Sequence, residues 1–341
     1  MNLYYNPLET ACKSQIGAFA CRSLLTLNVY TAAGGEEDFS AEVCTLVLFR
    51  DGEEAKFYPM KKIGERFTIT LRFNCVGLYF YHFKVGDRIF SCGRMRKGTF
   101  SLTPTNWQIT VYEEDYETPD WLKGGIMYQI FPDRFNKVGD YPIDSYKILR
   151  NWGEMPYFRP NQDGQVLNND FFGGNLNGIR AKLDYLQSLG VTTIYMNPIF
   201  EAYSNHRYDT GDYMQIDGLL GTVGDFDCLV EDAKMRGMHV ILDGVFNHTG
   251  ADSRYFNQFG RYPEFGAAQS TNSPYADWFK FHSFPYEYEC WWGIRSLPAV
   301  NESSPSYQNF IFGEDGVVKT WLRHGIGGYR LDVADELPDF S

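Results

Sequence analysis

From Trp121 onward, short apolar segments alternate with stretches whose apolar residues recur at helical spacing, and few architectures accept that pattern. Ile126 to Phe131 reads as a strand. Leu176, Ile179, Leu183, Leu186 and Leu189 follow as one helix, closed by Gly190. Val191 to Met196 is the next strand and ends at Asn197-Pro198. Phe226, Leu229, Val230 and Ala233 mark a second helix, closed by Gly237, and His239 to Phe246 a third strand. Val317, Val318, Trp321 and Leu322 fit a helix ahead of a short buried strand from Gly328 to Val333. Strands alternating with helices predict an α/β fold with a parallel sheet. Nearly continuous apolar strands predict a sheet covered on both faces or closed into a barrel. The expectation is the first half of a (β/α)8 TIM barrel over residues 118–341, since four strand–helix units can be counted. Residues of about 249–306 are too many for an ordinary loop and predict an inserted subdomain after the third strand.

Residues 1–117 read differently, as an all-β module. Leu25, Leu27 and Val29 alternate with polar neighbours. Val47-Leu48-Phe49 runs into Asp51-Gly52, a hairpin signal, and a dense aromatic stretch from Leu78 to Lys84 precedes Gly86-Asp87. Such spacing predicts an N-terminal β-sandwich. The polar run from Glu113 to Asp120, containing Pro119, is a linker candidate.

Charge narrows the partners. A net charge of −12 argues against a general nucleic-acid or membrane surface. The seven cysteines show no zinc spacing and read as reduced thiols of a cytoplasmic protein. The start, Met1-Asn2-Leu3-Tyr4, carries no basic region followed by an apolar run, so no signal peptide is expected. Aromatics at 17% suit ring stacking on a ligand, although most aromatics are core.

Chemistry concentrates at strand ends. Gly328-Tyr329-Arg330-Leu331-Asp332 delivers an Arg and an Asp two residues apart, on one face of a strand. A neighbouring cation keeps a carboxylate ionised, and an ionised, positioned carboxylate can act as a nucleophile. On spacing alone the pair equally fits a structural ion pair. Further motifs stand at the other strand ends: Tyr128-Gln129-Ile130-Phe131-Pro132-Asp133-Arg134-Phe135, Phe171-Phe172-Gly173-Gly174-Asn175-Leu176, Asn197-Pro198-Ile199-Phe200, Ser204-Asn205-His206-Arg207-Tyr208-Asp209-Thr210 and Asp243-Gly244-Val245-Phe246-Asn247-His248. Together, from Trp121 to Asp339, they resemble the α-amylase family of glycoside hydrolases, in its neopullulanase and cyclomaltodextrinase branch. The N-terminal module resembles that branch's starch-binding sandwich.

The resemblance implies retaining cleavage, with or without transglycosylation, of α-glucosidic bonds in maltooligosaccharides, cyclomaltodextrins, pullulan or starch. Asp332 would be the nucleophile, Arg330 would orient it, and Asp243 would support Arg330 from the neighbouring strand. His248 would bond a sugar hydroxyl, Tyr208 would stack on the sugar with His206 beside it, and Asp335 and Glu336 would shape the acceptor side. Each has a plainer alternative: a satisfied core histidine, a loop-anchoring tyrosine, solvated charge. The family's acid comes from the following strand, and no counterpart occurs in these 341 residues, so the chain is expected to be a fragment, doubtful in activity alone. No cofactor is required by the resemblance. A structural calcium would lie at Asn136, Asp140, Gly173 and Asn175, where hard oxygen ligands cluster in loops, and a homodimer would form through the N-terminal module. A non-catalytic glucan-binding protein and a branching or isomerising enzyme are the alternatives.

Overall fold

The computed structural model describes residues 2–32, 43–162 and 164–338. The chain divides into two compact units, Met1–Thr118 and Pro119–Ser341.

The first unit is two sheets over one core. One sheet runs Asn2–Tyr4, Leu24–Ala32, Arg66–Arg72, Lys61–Ile63, all antiparallel. The other runs Gly98–Ser101, Arg88–Cys92, Gly77–Val85, Trp107–Tyr112, Phe19–Ala20, with Cys44–Arg50 and Lys56–Pro59 attached through Gly77–Val85. Alternation explains the layering: Leu25, Leu27 and Val29 of one sheet meet Leu46, Tyr81, Phe83, Ile109 and Val111 of the other in a single buried cluster. Gly52, at φ 77°, makes the turn after Cys44–Arg50, a conformation that suits glycine.

The second unit is built on a four-stranded parallel sheet: β1 (Ile126–Ile130), β2 (Val191–Met196), β3 (His239–Gly244) and β4 (Gly328–Leu331), paired in that order. Register decides what each face carries. Ile130, Met196, Leu242 and Tyr329 lie level across the sheet. With Ile194 and Val240 they pack against the helices, in a cluster with Leu176, Leu183, Phe226, Leu229 and Trp321. The opposite face carries Gln129, Tyr195, Asp243 and Arg330, because side chains alternate along each strand. The helix Val223–Met235 opens with a capping box: Thr222 Oγ1 accepts from Asp225 N–H at 3.2 Å, and Asp225 Oδ2 accepts from Thr222 N–H at 2.8 Å. Among the described residues no helix is long and apolar enough to cross a membrane.

Two readings need correction. The single helix predicted from Leu176 to Leu189 is two short ones, Leu176–Arg180 and Leu183–Ser188, because Lys182 N–H bonds back only three residues, to the Ile179 carbonyl at 2.9 Å. The apolar stripe survives, as both pieces turn the same face inward. The strand predicted as buried over Gly328 to Val333 ends at Leu331, and Arg330 and Leu331 are exposed. It is the last strand of the sheet and among the described residues pairs only with β3. The segment after β3 packs on the sheet unit: its Tyr255, Phe256, Trp278, Phe279, Tyr288 and Val300 belong to the same buried cluster as the helices.

Candidate active site

The carboxyl ends of adjacent strands bring Asp243 and Arg330 level with each other. A single guanidinium nitrogen, Arg330 Nη1, donates to Asp243 Oδ1 at 3.0 Å and to Asp332 Oδ1 at 2.5 Å. Asp332 stands in the turn just past β4, with its N–H bonded to the Gly244 carbonyl at 3.0 Å. The arrangement is charge-assisted on both sides, so the guanidinium holds two carboxylates in fixed places. Burial alone would lower the Arg330 pKa, but its two carboxylate partners raise it instead.

Asp243 has further donors. Tyr195 donates to Oδ2 in a very short bond, and Tyr208 donates to the same oxygen at 2.9 Å. Burial pushes the Asp243 carboxyl upward, and Tyr195, Arg330 and Tyr208 oppose that push. Asn197 Nδ2 donates to Tyr208 Oη at 3.0 Å, and Gln129 Nε2 to Asn197 Oδ1 at 2.9 Å. The polar end of the sheet is thus one hydrogen-bonded row from β1 to β4. Burial, then the Asp243 charge, push the Tyr208 phenol up to about 12.

Tyr208 and His206 are held from below by a buried turn. Ser204 donates through its hydroxyl to Asp209, and its Oγ accepts from Arg207 N–H at 3.0 Å. Arg207 has a positive φ of 61° and no solvent exposure, and its Nη2 donates to Asp217 Oδ1 at 3.2 Å. Lys147 Nζ reaches Asp217 Oδ2 at 3.3 Å. His206 bonds Ser204 through Nδ1 at 3.0 Å and Asn168 through Nε2 at 3.3 Å. Burial and then the Arg207 charge push its pKa down to about 4. The structure therefore gives His206 protein partners on both nitrogens.

His248 differs. It is 1% exposed, and neither ring nitrogen makes a well-formed hydrogen bond among the described residues, although the Tyr208 backbone favours its charged form. Its ring stacks on Trp291 at 5.2 Å. Burial pushes its pKa down to about 4, against the charges of Asp332 and Glu336. It is neutral at pH 7, so it offers one donor and one acceptor, neither of them in a well-formed bond among the described residues. An unpaired buried polar group is costly and points to a missing partner.

Glu336 accepts from Trp291 Nε1 at 2.8 Å and Trp292 Nε1 at 2.9 Å, and these bonds lower its pKa. Asp335 is exposed. Each of the four residues proposed for calcium bonds another protein group. Asn175 Oδ1 caps a helix by accepting from Gly178 N–H at 2.7 Å and also accepts from Val138 N–H at 3.3 Å. Asn136 Nδ2 donates to the Gly178 carbonyl, Asp140 pairs with Lys137, and Gly173 N–H donates to Asp133. Among the described residues no group of three His, Cys, Asp or Glu side chains could hold a metal ion. Of the oxygens in that set, Asn175 Oδ1 and Asp140 Oδ1 already meet protein donors. Three side chains carrying the site escaped sequence reasoning: Tyr195, Arg207 and Trp291. Tyr195 could have been found by counting two residues back from Asn197, onto the same face of β2.

Residues 129–340 match the α-amylase catalytic-domain family. The chain belongs to the α-amylase family. Over 394 aligned positions it is 40% identical to an amylopullulanase of Thermoanaerobacterium saccharolyticum, covering 98% of this chain and 30% of that protein. It is 40% identical to the intracellular maltogenic amylase of Bacillus subtilis, over 67% of this chain and 36% of the relative. Among solved structures, the type III pullulan hydrolase from Thermococcus kodakarensis aligns over 99% of this chain and 57% of its own, with a TM-score of 0.58 and 27% identity. A neopullulanase and a cyclomaltodextrinase are also similar, consistent with that branch of the family. The chain spans about a third of the length of the curated relatives it matches.

Proposed function

We propose that this chain carries the nucleophile side of a retaining α-glucan-cleaving site. The observation behind the reading is the Arg330 nitrogen that bridges Asp243 to Asp332, beside a buried histidine whose ring nitrogens make no well-formed bond among the described residues. Asp332 attacks the anomeric carbon of a bound glucosyl unit. The glycosidic C–O bond breaks, and a carboxylic acid on the opposite face protonates the departing oxygen. Water, or a second sugar, then releases the covalent intermediate with retention. Arg330 keeps Asp332 aimed, a task suited to its rigid fork. His248 meets a sugar hydroxyl with its donor or acceptor, and Tyr208 packs its ring on the sugar's C–H face.

Several parts of this reading reach past the chain itself. The four-stranded sheet is taken as the first half of a (β/α)8 barrel, and the segment after β3 as the insertion above it. The acid is assigned to a following strand outside these 341 residues, a reading supported by relatives of which the matched part is 30–40%. The N-terminal sandwich is taken as a glucan-binding module. Relatives named for pullulan, cyclomaltodextrin and maltose support α-glucan as the substrate class. The test uses the product of the whole reading frame. It should release reducing sugar from pullulan, cyclomaltodextrin or maltooligosaccharides. Asp332→Asn should cut turnover by about 10⁴-fold or more while leaving oligosaccharide affinity within a few-fold. Turnover that survives this substitution would contradict the assignment.

A further inference from the structure

The N-terminal sandwich carries a cleft unrelated to the parallel sheet. The strand Phe19–Ala20 pairs with Trp107–Tyr112 only at Val111 and Tyr112. Among the described residues Trp107 to Thr110 therefore have no strand on that side, and a cleft of about 420 Å³ lies between them and residues 13–18. That volume is within the usual range for a small-molecule site. Gln108 and Thr110 face away from the buried Trp107 and Ile109. His82 occupies Asn106 Oδ1 at 2.9 Å, which leaves the Asn106 amide N–H groups to donate.

Charge makes the cleft unusual. The chain has 43 acidic and 31 basic residues, yet among the described residues no Asp or Glu lines this cleft, whereas Lys13 and Arg96 both do. Lys13 is only 4% exposed, and its ammonium has no hydrogen bond or ion pair among the described residues. Its backbone is fixed, with N–H bonded to the Glu9 carbonyl at 2.9 Å and a bridge to Leu27. Burial lowers its pKa with no counter-charge opposing. Arg96 also lacks an ion pair among the described residues. Its backbone sits at φ 63°, and its carbonyl accepts from Trp107 Nε1 at 2.7 Å. The Lys13 ammonium keeps access to solvent, so both cations stand at the cleft wall where an anion can reach them.

We propose that this cleft binds the phosphate group of a sugar phosphate, with Lys13 and Arg96 matching its charge and Asn106, Gln108 and Thr110 meeting the sugar hydroxyls. Two cations without an acid suit a phosphate monoester, which carries between one and two negative charges at neutral pH. The inference stands on the sandwich alone and is independent of the catalytic reading. The phosphate arrives either on a free sugar or as a substituent on a glucan chain, and the two present the same group.

Isothermal titration calorimetry of the 341-residue chain tests it, with glucose 6-phosphate, phosphorylated maltodextrin, inorganic phosphate and glucose as probes. At least one phosphorylated sugar should bind one site with Kd on the order of 0.1–1 mM, and glucose at the same concentrations should not. Lys13→Met and Arg96→Gln should each weaken that binding by roughly tenfold or more. Arg96 is exposed, so its variant is a test that folding does not confound. Binding of glucose 6-phosphate alone, of the phosphorylated dextrin alone, or of both supports the site and identifies the source. No binding of any phosphorylated sugar, equal binding of glucose, or binding unchanged in Arg96→Gln overturns it.

Discussion

Replacing Asp217 by Asn should destabilise the second unit strongly, because it leaves a buried guanidinium without its counter-charge. Arg207 and Asp217 are both fully buried, and Asp217 accepts from Arg207 at 3.2 Å, from Lys147 at 3.3 Å and from Leu219 N–H at 3.0 Å. Burial alone would raise its carboxyl, but the Arg207 and Lys147 charges hold it below the ordinary 3.8. Asn keeps the shape and removes the charge. Lys147 retains Asp144 at 3.1 Å, whereas Arg207 loses its ion pair and keeps the Asn205 carbonyl and a neutral amide oxygen. Breaking one side of a buried pair costs about 3–5 kcal/mol. For a domain of this size each kcal/mol moves Tm by about 2–4 °C, so the expected drop is roughly 6–20 °C by circular dichroism melting. The double variant Arg207→Met, Asp217→Leu should lose less than Asp217→Asn alone, since no lone charge remains. A drop of under about 2 °C for Asp217→Asn would refute the account of this cluster, taking about 1 kcal/mol as the scale that such a shift represents.

His248 should make the fold acid-sensitive. The unfolded chain binds its proton near the ordinary 6.5 and the folded chain only near 4. Between those values the unfolded state holds more protons, so stability falls as pH drops from 6.5 to 4, by up to roughly 3 kcal/mol. Denaturant titrations across that window should show the loss in the parent and a smaller loss in His248→Gln; identical pH profiles would exclude this origin. Gly178→Ala tests close packing: a Cβ there would lie 1.9 Å from the Asn136 carbonyl oxygen. The gain in helix propensity, about 1 kcal/mol, is outweighed by an overpacking cost of about 1–3 kcal/mol, so denaturant midpoints should fall. An increase would show that the Asn136 loop yields freely.

What the sequence made legible was local. Strand β2 has the bounds that its apolar run suggested, and Gly237 follows the helix it was read to close. Patterns within a few residues carry that information. Long-range pairing is different. Tyr195 looked like one more apolar-strand residue, because nothing nearby in the chain shows that Asp243 will lie within reach of its hydroxyl. The bonds from Trp291 and Trp292 to Glu336 cross some 45 residues and leave no periodic trace. Gly173 and Asn175 read as loop oxygens for a cation, and nothing local in the sequence shows that Asn175 also caps a helix or that Gly174 permits a close approach to the Pro132 carbonyl. Lys13 drew no notice in sequence, since one lysine among 31 basic residues says nothing until its burial and lack of a partner are visible.

The most direct test of Asp332 as nucleophile is covalent trapping. A 5-fluoro-α-glucosyl fluoride needs little acid assistance at its leaving group, so formation of the intermediate depends chiefly on the nucleophile and its positioning. The whole reading-frame product would be incubated with this reagent, digested with pepsin at low pH and examined by tandem mass spectrometry. The account predicts one added fluoroglucosyl group on the peptide spanning Gly328 to Glu336, localised to Asp332 and absent from Asp332→Asn. A label on Asp243 or Glu336, or an enzyme that turns over glucan yet is labelled nowhere on this peptide, would contradict it.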